Sequence, residues 1–145
     1  MATKRALVLL LLVLLITTSV VSGGSRDCLS YSPDEVKLTG KIRIRTFPGP
    51  PNYESVRRGD MPEVTWILHL NQPVCVKRGQ DNEFDVSERN VRDVQMALDQ
   101  EQYTKWRKFA RSRARVVVTG TLFHAHTGHH HTEVLIDVSS IERER

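Results

Sequence analysis

Val36, Leu38, Ile42 and Ile44 alternate with Lys37, Thr39, Lys41, Arg43 and Arg45. This period of two predicts a half-buried strand with one wet, basic face. Gly40 interrupts the apolar side, as a bulge or bend does. Phe47-Pro48-Gly49-Pro50-Pro51-Asn52 ends the strand, because three prolines cannot donate to a ladder, and the chain to Pro62 reads as a long loop. Val64 to Leu70 predicts a second strand, with Trp66, Leu68 and Leu70 sharing a face. Asn71-Gln72-Pro73 then reads as a turn, and Val74-Cys75-Val76 as a short third strand. Ser87 is placed to cap a helix carrying Val91, Val94 and Leu98, and a second helical pattern carries Tyr103, Trp106 and Phe109 or Ala110. Arg115 to Phe123 and Glu133 to Val138 predict the fourth and fifth strands, and residues from 142 read as a frayed tail.

Three strands, a helical stretch and two strands predict a mainly β fold with one or two helices. The same order belongs to the five-stranded OB-fold barrel, whose helix lies between its third and fourth strands. Such a barrel would occupy residues 28–141 as one domain; another small α+β barrel or an open sheet would have the same order.

The start of the chain changes the compartment. Lys4 and Arg5 precede eleven consecutive apolar residues, Ala6 to Ile16, and small residues follow around Ser22 and Gly23. That is the layout of a signal peptide over residues 1–23, cleaved after Ser22 or Gly23. The run is short against the ~20 residues of a membrane span. The 145 residues carry 21 Lys and Arg against 17 Asp and Glu. Losing Lys4 and Arg5 leaves 19 against 17, so the mature charge is +2 rather than +4. A strongly cationic nucleic-acid binder is therefore not what remains, and no membrane span is expected after cleavage. In an oxidising compartment the two cysteines, Cys28 and Cys75, are most simply a disulfide, with two free buried thiols as the alternative.

Five of the six histidines fall within eight positions: His124, His126, His129, His130 and His131. His124 and His126 share a strand face, Thr127-Gly128 permits a turn, and His129 to His131 return beside them. His124, His126, His129 and His131 are the candidate metal ligands, with zinc as the candidate ion and Glu133 or Asp60 as a further carboxylate. The same pattern also fits a polar hairpin tip whose imidazoles hydrogen-bond the backbone, or a pH sensor. In the barrel, this hairpin and the Pro-rich loop between strands one and two flank one pole. Tyr53, Glu54, Ser55 and Asp60 would then form a ligand-binding wall opposite the histidines, or the loop would simply seal that end. Lys37, Lys41, Arg43 and Arg45 form one basic face, and Lys105, Arg107, Lys108, Arg111, Arg113 and Arg115 a second; both read as solvated faces or as a surface for an anionic partner. No nucleophile elbow, phosphate-cradling glycine loop or paired-carboxylate pattern is present.

Two motifs carry a resemblance. Phe47 to Ser55 (FPGPPNYES) and Thr119 to Thr132 (TGTLFHAHTGHHHT), with Gly59-Asp60 and Trp66-Ile67-Leu68, resemble an uncharacterised family of exported bacterial domains over roughly Cys28 to Val138. The resemblance implies a bacterial, exported domain and no assigned activity. The expectation is an exported, periplasmic or secreted, non-enzymatic binding module. It would use the two loops for a small ligand or a divalent metal. The alternatives are a zinc-dependent hydrolase with an open three-histidine site, and an envelope interaction domain that binds an anionic partner through its basic faces.

Overall fold

Alternating burial over residues 35–42 sets the inner half of the first long strand, Glu35–Pro48: Val36, Leu38 and Ile42 point inward while Lys37, Lys41 and Arg43 stay wet, and Ile44, expected to share the inward side, is exposed. The computed structural model describes residues 27–79 and 82–145; the leader expected over residues 1–23 lies outside the described residues. Among the described residues the strands are β1 (Leu29–Ser30), β2 (Glu35–Pro48), β3 (Pro62–Lys77), β4 (Glu88–Ala97), β5 (Arg115–His124) and β6 (Val134–Arg143). One α-helix, α1 (Gln100–Ser112), lies between β4 and β5, and a short 3-10 turn (Val56–Arg58) lies between β2 and β3. The sheet is mixed, ordered β1-β3-β2-β5-β6-β4, with β3 also pairing β4. The β4–β6 and β1–β3 pairs are parallel and the others antiparallel.

Backbones approach closely where two glycines sit. A Cβ at Gly40 would come 2.3 Å from the carbonyl oxygen of His69, and one at Gly120 2.0 Å from that of Asp137. Gly120 also lies at a register shift against β6, so both residues let neighbouring strands bend past each other. The core between the strands is aliphatic: Leu68, Val94, Val116, Val118, Val134 and Ile136 are fully buried. Trp106 and Ala110 of α1 cover it, and Tyr103 meets Trp66 edge-on at 5.1 Å. Asp99 caps the helix reciprocally, its carboxylate accepting from the Gln102 N–H at 2.7 Å while Gln102 Oε1 accepts from the Asp99 N–H at 2.8 Å.

Three expectations about the elements need correction. The helix expected after Ser87 is strand β4, and Ser87 Oγ accepts from the Arg78 N–H instead of capping a helix. The third strand expected at 74–76 is the end of β3, which runs through the expected turn at 71–73. Both errors have one cause. Register shifts between His69, Val74 and Val76, and a positive φ at Asn90, break the period of two along the β3–β4 pair, leaving Val91, Val94 and Leu98 at helix-like spacing. The short β1 was not anticipated. Finally, β6 pairs through Arg143, so residues 142 and 143 are strand rather than frayed tail. The Cys28–Cys75 disulfide forms, tying the start of β1 to the end of β3.

Candidate functional site at the histidine-rich hairpin

Residues 125–133 connect β5 to β6 and lie between two other segments: the 49–61 loop with the start of β3, and the 82–88 segment leading into β4. Its imidazoles, with that of His124 at the end of β5, divide among three neighbourhoods.

His129 and His131 face Glu63. The Nδ1–H of His129 donates to Glu63 Oε1, and the Nε2–H of His131 donates to Oε2 at 3.0 Å. With Nδ1 donating, Nε2 of a neutral His129 is an acceptor and takes the Tyr53 hydroxyl at 3.0 Å. His131 stacks flat on Phe47 at 4.2 Å. One carboxylate and two rings thus pin the hairpin to the Pro-rich loop. Gln95, buried in β4, adds a second tie: its Nε2 donates to the His129 carbonyl at 2.9 Å and its Oε1 accepts from the His131 N–H at 2.6 Å.

His126 and His130 form a second pair, edge-on at 4.7 Å and flanked by Phe123 and Phe84. The His126 N–H donates to His130 Nδ1 at 3.0 Å, so that nitrogen must stay unprotonated. Burial first, then the neighbouring His126, His129 and His131, hold the His130 imidazole below its usual value.

His124 stands apart with two carboxylates. Its Nδ1 meets the Ala125 carbonyl at 3.0 Å, and its Nε2 lies 3.1 Å from Glu88 Oε1 and 3.8 Å from Glu133 Oε2. One ligand atom from each of Glu88, His124 and Glu133 falls within 4.8 Å of the others. Among the described residues this is the one such grouping of three His, Cys, Asp or Glu side chains. The His124 side chain is 11% exposed and that of Glu133 73%, so the cluster is rooted in the fold and open on one side. Tyr31 lies beneath, edge-on to His124 at 6.1 Å, with its hydroxyl donating to the Val86 carbonyl at 2.8 Å. Burial, then the charges of Glu88, Asp85 and Glu133, push the Tyr31 phenol well above its usual range. The carboxylates therefore set up a negative potential at this place.

The expected ligand-binding wall is largely occupied with its own loop. Buried Asp60 accepts at Oδ1 from the N–H and side-chain amide of Asn52, and at Oδ2 from the N–H groups of Glu54 and Ser55, at 2.7 to 3.1 Å. The Ser55 N–H above all holds the Asp60 carboxyl down to about 2, from an ordinary 3.8, against the opposing effect of burial. Asp60 thus organises the loop from inside. Glu54 makes an exposed ion pair with Arg58 at 3.2 Å. Ser55 caps the 3-10 turn, and its carbonyl accepts from the N–H groups of Arg58 and Asp60. Of the four, Tyr53 is the one whose side chain reaches a hairpin histidine.

Residues 93–142 match a family described as "Domain of unknown function (DUF4431)". This is an uncharacterised domain family. The matched span takes in the second half of β4, α1, β5, the whole hairpin and nearly all of β6, and leaves out the Pro-rich loop, Glu63 and Glu88. No curated protein and no solved structure matches the chain.

Sequence reasoning named His124 and Glu133 but missed Glu63, Glu88 and Gln95. Gln95 left a trace, as an amide between Val94 and Met96 in an otherwise apolar run; with 88–97 read as helix, it fell on no meaningful face.

Proposed function

We propose that this chain is an exported, non-enzymatic binding module of the OB type that holds a divalent metal ion at His124, Glu88 and Glu133. The barrel reading is supported by the ring of pairings β2–β3–β4–β6–β5–β2, with a parallel β4–β6 pair and the helix before β5; β1 is an added edge strand. Export, to the periplasm or beyond, is supported by the apolar leader and by a disulfide suited to an oxidising compartment.

One observation carries the metal reading. Both polar directions of the His124 ring end on acceptors, a carbonyl at Nδ1 and carboxylates at Nε2. With Nδ1–H donating to the carbonyl, a neutral ring aims a lone pair at carboxylate oxygens, and only a cation between them removes that repulsion. A proton can fill the place, and so can a metal ion. Metal-bound histidines are oriented in this way, the second nitrogen donating to a main-chain carbonyl. Imidazole with two carboxylates suits zinc, and the open side leaves room for water or a small ligand. His129 and His131 pin the hairpin rather than ligate.

The test is zinc titration of the full-length chain, expressed with its own leader and without a polyhistidine tag. At one hundred times its Kd, zinc adds about 2.7 kcal/mol to stability, a rise of roughly 10 °C in Tm. His124→Ala is expected to abolish that rise while His129→Ala retains it. An equal rise in His124→Ala, or none in the parent chain, overturns the reading.

A further inference from the structure

A second surface, built from other residues, carries an inference of its own. β2 pairs with β5 only from Glu35 to Lys41, where Lys41 stands opposite Arg115. Beyond Lys41 its other edge continues along β3 to Pro48, but no described strand pairs on the β5 side. Alternate residues there present main-chain N–H and C=O groups to an open flank. A groove of about 600 Å³ runs along this flank, closed on the far side by the end of α1.

Five cations line it: Lys41, Arg43 and Arg45 on the strand, and Arg111 and Arg113 at the helix end. Among the described residues none of their side chains is ion-paired or hydrogen-bonded, and no carboxylate lines the groove. Arg111 and Arg113 have a local use, offsetting the exposed carbonyls of the helix terminus. The three strand cations have none. Their spacing is that of alternate strand positions, about 6.8 Å. The opposite face of the same segment carries Ile44, which is 52% exposed. The edge therefore repeats cation and aliphatic residue in alternation.

We propose that this edge receives an extended peptide segment in which acidic and apolar residues alternate, added as a strand beside the second half of β2. An incoming strand would satisfy the open main-chain groups, place carboxylates opposite Lys41, Arg43 and Arg45, and cover Ile44 with its apolar face. Like charges oppose pairing of the same edge with a second copy of the chain. No aromatic side chain lines the groove, so bases and sugar rings find no stacking platform there.

The probe is a fluorescein-labelled, acetylated octapeptide of alternating glutamate and valine, followed by anisotropy on the full-length chain expressed with its own leader. Saturable binding is expected, weakening with salt and at least about tenfold tighter than that of a heparin hexasaccharide or an eight-base oligothymidylate. The double variant Arg43→Glu/Arg45→Glu, which alters only exposed side chains, is expected to weaken binding at least about tenfold. Two further peptides, N-methylated at the odd or the even residues, keep the charge and leave the protein untouched. At least one of them is expected to lose binding. Undiminished binding of both, tighter binding of either polyanion, or no saturable binding overturns the proposal.

Discussion

Two histidine neighbourhoods only a few residues apart are built to opposite effect. At Glu63 a single carboxylate faces two imidazoles, each of which has a donor to give it, and Tyr53 completes His129. At His124 the ratio is inverted, with two carboxylates and a carbonyl around a single ring. The first arrangement is complete without any addition and ties loop to hairpin. The second leaves a place that a proton, or the metal ion proposed above, would fill. A run of histidines is thus not one device, because the number of acceptors around each ring decides whether it fastens the fold or, on the reading proposed above, takes up an ion.

Substitutions can break this contrast. The largest effect is expected at Gln95, which holds the fastening half from beneath. Gln95→Ala strands the His129 carbonyl and the His131 N–H and should lower unfolding free energy by about 3 kcal/mol in urea titration. Next comes the proposed ion-binding half: Glu133→Gln should weaken zinc about tenfold by calorimetry, whereas Glu63→Gln should leave zinc affinity unchanged. An effect of Glu63→Gln as large as that of Glu133→Gln would erase the distinction. Glu63→Ala should instead cost stability, about 1 kcal/mol, since its two histidine partners lose their shared acceptor.

Smaller effects are read through pH. The His130 imidazole is held below its ordinary 6.5, so the unfolded chain takes up that proton first. Its contribution to stability is complete above pH 6.5 and declines as pH falls below it. The protection factor of the His126 amide should fall there, because protonation of His130 Nδ1 removes the acceptor of that N–H. Asp60 titrates in a lower window. With its carboxyl lowered from 3.8 to about 2, its contribution is present above pH 3.8 and is lost as pH falls toward 2. Asp60→Asn should expose the 50–59 loop to faster proteolysis at neutral pH without moving zinc affinity.

Which parts were legible in the sequence follows from where regularity held. β5 and the first half of β2, as far as Ile42, keep a strict alternation and could be read residue by residue; residues 43–46 are all exposed, so Ile44 does not follow the pattern. β4 could not, because bulges against β3 shift its inward positions, and a parallel partner, β6, buries Val94, Gln95 and Met96 in succession. The meeting of the Pro-rich loop with the hairpin was inferable from element order, as Tyr53 with His129 illustrates. Which carboxylate meets which imidazole was not. Glu63 is 68 residues from His131 and Glu88 is 36 from His124, and only the registers of the intervening strands bring them together.

Gln95 has one more consequence. Its side-chain amide gives one donor and one acceptor to a chain two residues apart, the same pair of links that a neighbouring strand offers. The hairpin is in effect clipped to a fixed pitch at His129 and His131. A residue inserted between those two would throw the clip out of step, while insertions at Thr127 or Gly128 leave it engaged, so the connection can vary in length on one shoulder only.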